Sequence, residues 1–308
     1  MTTRGKVLAG LALPLLGAAA LLATTFTAAP LPAPAPYAGE WPAASPPADV
    51  ALLALPTGVT HRSAAFAYRG GSFLDGRDFA MTAVLVKHPK GNLLIDTGLG
   101  SNVSASLGTL PAPFRAITSY TQGVPAARQL AAADAGALTA IVLTHAHWDH
   151  VSGLGDFPST PVWVTKKEHA FIRGGSVLSA AARLVPDTRY VDYGFDGGAY
   201  LGFPESLDVH GDGSVVIVPV PGHTPGSVAI FVTLPTGQRF AFVGDLVWQR
   251  EGLSEREERP WLPRTLGDAD PAQVRDGILR FSALSQRWPD LVLVPAHDAR
   301  GFGPLPRP

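Results

Sequence analysis

Thr144-His145-Ala146-His147-Trp148-Asp149-His150 places four metal-competent side chains, His145, His147, Asp149 and His150, within six residues. The stretch follows directly on Ala140-Ile141-Val142-Leu143, a short apolar run of the kind that forms a buried strand. Polar side chains at the C-terminal tip of such a strand converge on the crevice where α/β folds place their sites. Neutral imidazoles beside a carboxylate suit zinc or a similar borderline divalent ion. The bland alternative is a polar loop that happens to be rich in histidine, and the density of ligands speaks against it.

Three more polar residues stand at the exits of apolar runs. His223 lies in Pro221-Gly222-His223-Thr224-Pro225-Gly226-Ser227, Asp245 follows Ala241-Phe242-Val243-Gly244, and His297 follows the run that starts at Leu291. Taken singly, each is more often a turn residue or a satisfied buried group; with the cluster at 145–150 they make a set of seven ligands. Residues 80–87, 92–95, 140–143, 162–164, 215–220, 228–232, 240–243 and 291–294 read as strands. The strongest helix starts at Asp270-Pro271, a cap followed by proline at the first helical position. It carries Val274, Ile278, Phe281 and Leu284 on one face and stops before Pro289. Strands alternating with such helices predict a layered α/β fold.

Composition narrows the chemistry. The chain of 308 residues has 24 Lys and Arg against 25 Asp and Glu, so no bulk positive charge exists to hold a polynucleotide, and no nucleic-acid partner is expected. It has no cysteine, which excludes disulfides, thiolate metal sites and a cysteine nucleophile. Any metal must therefore be held by histidine and carboxylate.

Arg4 and Lys6 precede residues 7–39, which carry no charge and whose first part is dense in Leu, Ala and Val. Residues 1–29 read as a signal peptide or membrane anchor, making the protein exported, periplasmic or extracellular. Thr27, Ala28 and Ala29 offer small residues for cleavage, but Pro30 opposes it. The apolar stretch is also about as long as the roughly 20 residues that span a bilayer, so a membrane tether stays open. Residues 30–47 contain proline at seven positions and should form an extended tether. The folded domain is expected over 48–308.

The combined pattern T-H-x-H-x-D-H, then G-H-T-P-G-S, then G-D, then a late A-H, resembles the metallo-β-lactamase superfamily over about residues 80–300. The resemblance implies an α/β fold, an αββα sandwich of two mixed β-sheets with helices on the outer faces. It implies two metal ions, zinc first, with iron or manganese accepted by the same donors. His145, His147 and His223 would hold one; Asp149, His150 and His297 would hold the other; Asp245 would bridge them. A hydroxide shared by the two metals would attack an ester-type carbonyl, with Asp149 orienting it and Asp245 assisting proton transfer. Asp96-Thr97-Gly98 matches the family's early D-T-G turn, where the aspartate orients a ligand.

Within that superfamily, histidine at 147 rather than glutamate speaks against the redox-active diiron branch, and the presence of Asp245 speaks against true β-lactamases. The ligand set resembles both N-acyl-homoserine lactonases and glyoxalase-type thioesterases. Only about eleven residues follow His297, which leaves no room for the helical C-terminal domain of the latter. A lactone is thus the leading small-molecule substrate, a thioester or other ester the next, a phosphodiester the third. A non-catalytic metal-binding protein is the alternative of a different class.

Trp248 stands three residues beyond Asp245, where the lactonases commonly carry a tyrosine. Its indole has no acceptor, so it is either a pocket wall or core. Residues 249–264 form either a loop over the pocket or a solvated connection. His61, His88, His169 and His210 match no ligand position. Lys166, Lys167 and Arg173 are possible substrate-facing cations. The oligomeric state is open.

Overall fold

In the computed structural model, which describes residue 17 and residues 20–307, two mixed β-sheets stack face to face. β1 (Ala51–Ser63), β2 (Gly76–Lys87), β3 (Asn92–Ile95), β4 (Thr121–Gln122), β5 (Leu138–Val142), β6 (Val162–Thr165) and β7 (Tyr190–Tyr193) form the first, in the order β4-β1-β2-β3-β5-β6-β7. β8 (Leu207–Asp208), β9 (Val215–Pro219), β10 (Val228–Thr233), β11 (Arg239–Gly244) and β12 (Val292–Pro295) form the second, in the order β12-β11-β10-β9-β8. The first sheet is antiparallel from β1 to β3 and parallel from β3 through β5 and β6 to β7. In the second only the β11–β12 pair is parallel.

Strand periodicity explains the layers, because successive side chains point to opposite faces. Val84 and Val86 of β2 join Ile230 and Val232 of β10 in the core between the sheets. The intervening Ala83 and Leu85 face an outer cluster with Leu130, Ile172 and Ala182. Ala229 and Phe231 of β10 face the other outer cluster, where helix Pro271–Arg287 docks with Val274, Ile278, Phe281 and Leu284. That helix starts as predicted, the Asp270 side chain accepting from the amides of Ala272 and Gln273. The result is the expected αββα sandwich.

One long strand was not legible. β1 is absent from the strands expected; it contains Pro56 and Gly58, residue types disfavoured inside strands, and continues past them through a bulge in its pairing with β2. The C-terminal ends of β5, β11 and β12 and the β9–β10 turn come together at one edge.

Much of the expected signal or anchor segment, residues 1–16, 18 and 19, lies outside the described residues. Residues 20–26 are helical, and among the described residues no helix is long and apolar enough to cross a membrane. Residues 28–47 carry no helix or strand, as their prolines dictate. This stretch does not hang free, in contrast to the tether expected over 30–47: Tyr37 and Trp41 pack against Trp288, and the Ser45 amide donates to the Asp212 carbonyl.

Candidate metal centre

The chain leaves β5 at Val142, and two hydrogen bonds to one carboxylate fix its path. Asp96 accepts from the Thr144 amide through Oδ1 and from the Thr144 hydroxyl through Oδ2, each at 2.7 Å. This holds Asp96 at φ +53°, a left-handed conformation that a non-glycine residue adopts only when its surroundings fix it. From Thr144 the chain lays out His145 and His147, then starts the short helix Trp148–Val151, which carries Asp149 and His150. Gly244 closes the edge from the other sheet at φ +55°, and a Cβ there would come within 3.0 Å of Thr144. Its glycine lets Asp245 approach the histidines.

All seven predicted ligands meet here. His145, His147 and His223 bring ligand atoms within 4.8 Å of one another; so do His145, His150 and Asp245, and so do Asp149, His150 and His297. Asp245 lies between them. Its Oδ2 is 3.5 Å from His223 Nε2 and 4.0 Å from His145 Nε2, its Oδ1 is 3.2 Å from His150 Nε2, and His297 Nε2 approaches both oxygens, at 3.2 Å from Oδ1 and 3.3 Å from Oδ2. His297 Nε2 is also 3.3 Å from Asp149 Oδ2.

The donor set fits divalent metal. The Nε2 atoms of His145, His147, His150 and His223, with Asp245 Oδ1, are buried and lack hydrogen-bond partners. Buried polar atoms left so are costly unless something else satisfies them. Four imidazoles turned toward one another with their Nε2 atoms unpaired suit a shared cation.

Most of these rings are fixed through the other nitrogen, as metal-bound histidines commonly are. His150 Nδ1 donates to Asp96 Oδ2 at 2.8 Å, His297 Nδ1 to the Ala80 carbonyl at 2.8 Å, and His223 Nδ1 to Asp268 Oδ1 at 2.8 Å. Asp268 is paired in turn with the buried Arg259 guanidinium. Burial, then neighbouring imidazoles, hold His145 and His147 far below the usual histidine range, so they are neutral and ready to coordinate. Burial would do the same to His150, but Asp96, Asp245 and Asp149 outweigh it and raise that ring well above its ordinary value. Burial opposes ionisation of Asp245 too, and His297 and His150 overcome it, holding the carboxyl well below its usual range.

Glu168 is a residue that sequence reading missed. Its Oε1 accepts from the Ala146 amide at 2.7 Å, and its Oε2 from the Thr224 hydroxyl at 2.6 Å and the Gly226 amide at 3.0 Å. It thereby ties the 145–150 loop to the 221–227 loop. Thr165-x-x-Glu168 is a capping-box pattern, and Thr165 does cap helix Lys166–Arg173, but the glutamate serves the two loops instead. Asp268 and Arg259 gave no signal in the sequence.

Beside the cluster lies a cavity of about 380 Å³. His147, Asp149, His223 and Asp245 form its polar end; Phe66, Leu110, Phe114, Trp148, Leu178 and Trp248 give it an apolar wall. Trp248 fills both roles weighed for it. It lines the cavity and packs edge-on against Phe79, and its indole nitrogen donates to Asp245 Oδ2. Arg259, Pro263 and Arg264 also line the cavity, so the charged 249–264 stretch covers it rather than merely connecting elements. Lys166, Lys167 and Arg173 are exposed and line no part of it. His61 pairs with Asp78 and His169 with Asp192, and His88 bonds Asp212 while stacking on His210 at 3.7 Å.

Comparison with known families agrees with this geometry. The model of the metallo-beta-lactamase superfamily matches residues 76–297. The chain belongs to that superfamily. Its members bind divalent metal, and the histidine and aspartate cluster provides the place for it here. Among superfamily relatives, a probable metallo-hydrolase of Mycobacterium tuberculosis is 34% identical over 233 residues, 70% of this chain and 73% of the relative. The N-acyl homoserine lactonase AttM of Azorhizobium caulinodans is 27% identical over 193 residues, 59% of this chain and 70% of the relative. Among solved superfamily structures, an N-acyl homoserine lactone hydrolase with N-hexanoyl-L-homoserine at its catalytic metal centre aligns with a TM-score of 0.62. It is 18% identical and covers 81% of this chain and 93% of its own, a likeness of fold. The protein is accordingly a metallo-hydrolase of this superfamily.

Proposed function

We propose that the protein is a dinuclear metal-dependent hydrolase of ester-type carbonyls, with a lactone as the preferred substrate. The observation that carries the reading is the position of Asp245, whose carboxylate lies within 4.0 Å of the Nε2 atoms of His145, His150, His223 and His297. In this reading His145, His147 and His223 hold one ion, Asp149, His150 and His297 the other, and Asp245 both. Zinc suits these donors, and iron or manganese would accept the same set. Two such ions, when bound, would supply hydroxide at neutral pH and polarise the carbonyl oxygen of an ester.

The chain's own residues do the rest. The apolar wall from Phe66 to Trp248 receives an acyl chain and keeps water from it. In this reading Asp149, at the cavity's polar end, orients the attacking oxygen. In this reading Asp245 assists proton transfer to the leaving alcohol. The relatives that are lactonases support the lactone reading.

A second reading, a thioester or other ester carrying an anionic group, is favoured by Arg62. This side chain lines the same cavity, and burial holds its guanidinium below the ordinary arginine range, only partly offset by Asp149. Such a cation is stabilised by an incoming carboxylate.

The test is metal content by mass spectrometry, paired with turnover of a long-chain acyl-homoserine lactone, a glutathione thioester and an aryl phosphodiester. Two metals per chain and lactone turnover abolished by Asp245→Ala are expected. Fewer than one metal per chain after reconstitution would overturn the metal centre, and turnover of the thioester alone would move the substrate to the second reading.

A further inference from the structure

The end of the apolar N-terminal segment is stitched to the rim of the cavity. Thr25 is fully buried, its hydroxyl accepting from the Leu262 amide at 3.1 Å. The Gly70 amide donates to the Phe26 carbonyl at 2.8 Å, and Arg69 Nε to the Thr27 carbonyl at 2.9 Å. The Ala29 amide donates to Glu257 at 3.1 Å; Leu31 and Arg256 exchange two bonds, one at 2.8 Å between backbones and one at 3.0 Å from the guanidinium. Phe26 packs against Phe73 and against Phe66, and Phe66 lines the cavity.

Around this contact large apolar side chains stand exposed. Leu21, Leu22, Phe66, Phe73, Leu74 and Leu262 are six of the nine large apolar side chains that stand exposed among the described residues, Leu74 at 96%. Large apolar side chains gathered in exposed positions mark an interaction site. What precedes it in the chain identifies the partner: from residue 7 onward the sequence is uncharged and rich in Leu and Ala, with Arg4 and Lys6 ahead of it. A run of that composition partitions into lipid, and it joins the domain within this patch.

We propose that residues 1–29 are retained as an anchor and that the patch around Phe73, Leu74 and Leu262 rests on the bilayer, so that the cavity opens beside the lipid surface. The bonds from Thr25 to Leu31 tie into the folded domain the small-residue stretch where a signal would be cut. They also fix the anchor's exit relative to the cavity, which a flexible tether could not do. An apolar face of this kind enters the boundary between headgroups and acyl chains, where an amphiphilic ester is concentrated. This inference does not depend on which bond the metal centre cleaves.

The absence of cysteine makes the test direct, since any cysteine introduced is the sole labelling site. Full-length Leu74→Cys and Thr236→Cys would be expressed with their native N-terminus, labelled with a polarity-sensitive fluorophore and reconstituted into phosphatidylethanolamine–phosphatidylglycerol vesicles. Thr236 lies in the exposed β10–β11 turn, at the end of β11 away from Asp245. Intact mass of the membrane fraction should show residues 1–29 still attached. The label at 74 should shift to the blue and lose about half its intensity to acyl-chain quenchers, as a group several ångströms into the interface does, while the label at 236 reports water. A released chain starting near residue 30, or a retained chain whose label at 74 reports water, overturns the proposal. A blue shift that follows protein concentration without lipid assigns the patch to a second copy of the chain and overturns it equally.

Discussion

The Trp248 indole donates to Asp245 Oδ2 across 2.8 Å, so the residue that stands where a phenol was expected acts on the central carboxylate. That oxygen also faces His145, His223 and His297. Trp248 is itself held between Phe79 and the Arg259 guanidinium, 4.8 Å from its ring. Trp248→Phe keeps the packing against Phe79 and removes the donor. Loss of a hydrogen bond that orients a ligand commonly costs 10–100-fold in metal affinity or activity, and a loss of about tenfold is expected here. Competition with a chromogenic chelator checks it, and an unchanged affinity would mean that the indole only packs.

Asp268→Asn tests the support of His223. The carboxylate accepts from His223 Nδ1 and pairs with Arg259, and the two partners hold its carboxyl below the usual range against the opposing effect of burial. The amide leaves the buried guanidinium without its counter-charge and weakens the bond that sets the imidazole's tautomer. Metal affinity should fall by about tenfold or more while the second set, Asp149, His150 and His297, is spared. Metal titration followed by calorimetry should therefore show one weakened step of two; equal loss in both would contradict a local role.

Glu168→Gln should cost stability rather than chemistry. Three donors converge on this buried carboxylate from two loops. An amide in its place presents N–H to at least one donor, and a buried donor left unpaired costs about 1–3 kcal/mol. A lowered urea midpoint with metal stoichiometry retained is the expected result. A variant as stable as the wild type would show that the loops are held by other contacts.

These residues also show where the sequence was legible. His145 to His150, His223, Asp245 and His297 could be read because each is a polar side chain at the end of an apolar strand, and strand ends are visible in hydrophobic periodicity. Helix Pro271–Arg287 was legible for the same reason, with its cap written in Asp270-Pro271. Glu168, Asp268 and Arg259 were not. Each is a charged residue in an ordinary polar context whose importance arises only from burial, and burial is a property of tertiary packing. β1 was hidden by its composition, since Pro56 and Gly58 are disfavoured inside strands and here fall at a bulge.

Acid stability should report on Glu251, away from the metal ligands. Arg300 Nη1 and Nη2 donate to its two oxygens at 2.8 and 2.7 Å, and Arg77 Nη1 adds a third bond at 3.0 Å. Burial alone would raise this carboxyl, but Arg300, the backbone amide of Glu251 itself and Arg77 together outweigh it and bring it from 4.5 down to about 2. A carboxylate with a folded pKa below its unfolded value stabilises the fold at pH above the unfolded value. That contribution is lost as pH falls through the folded one. Wild type and Glu251→Gln should therefore differ by on the order of 2 kcal/mol above about pH 5 and converge as pH approaches 2. Urea midpoints measured at intervals from about pH 2.5 to 6 decide it, because the window follows from linkage alone. A gap that stays constant across that window would place the effect in packing rather than in the charge of Glu251, and would remove the Arg77–Glu251–Arg300 cluster as a source of acid sensitivity.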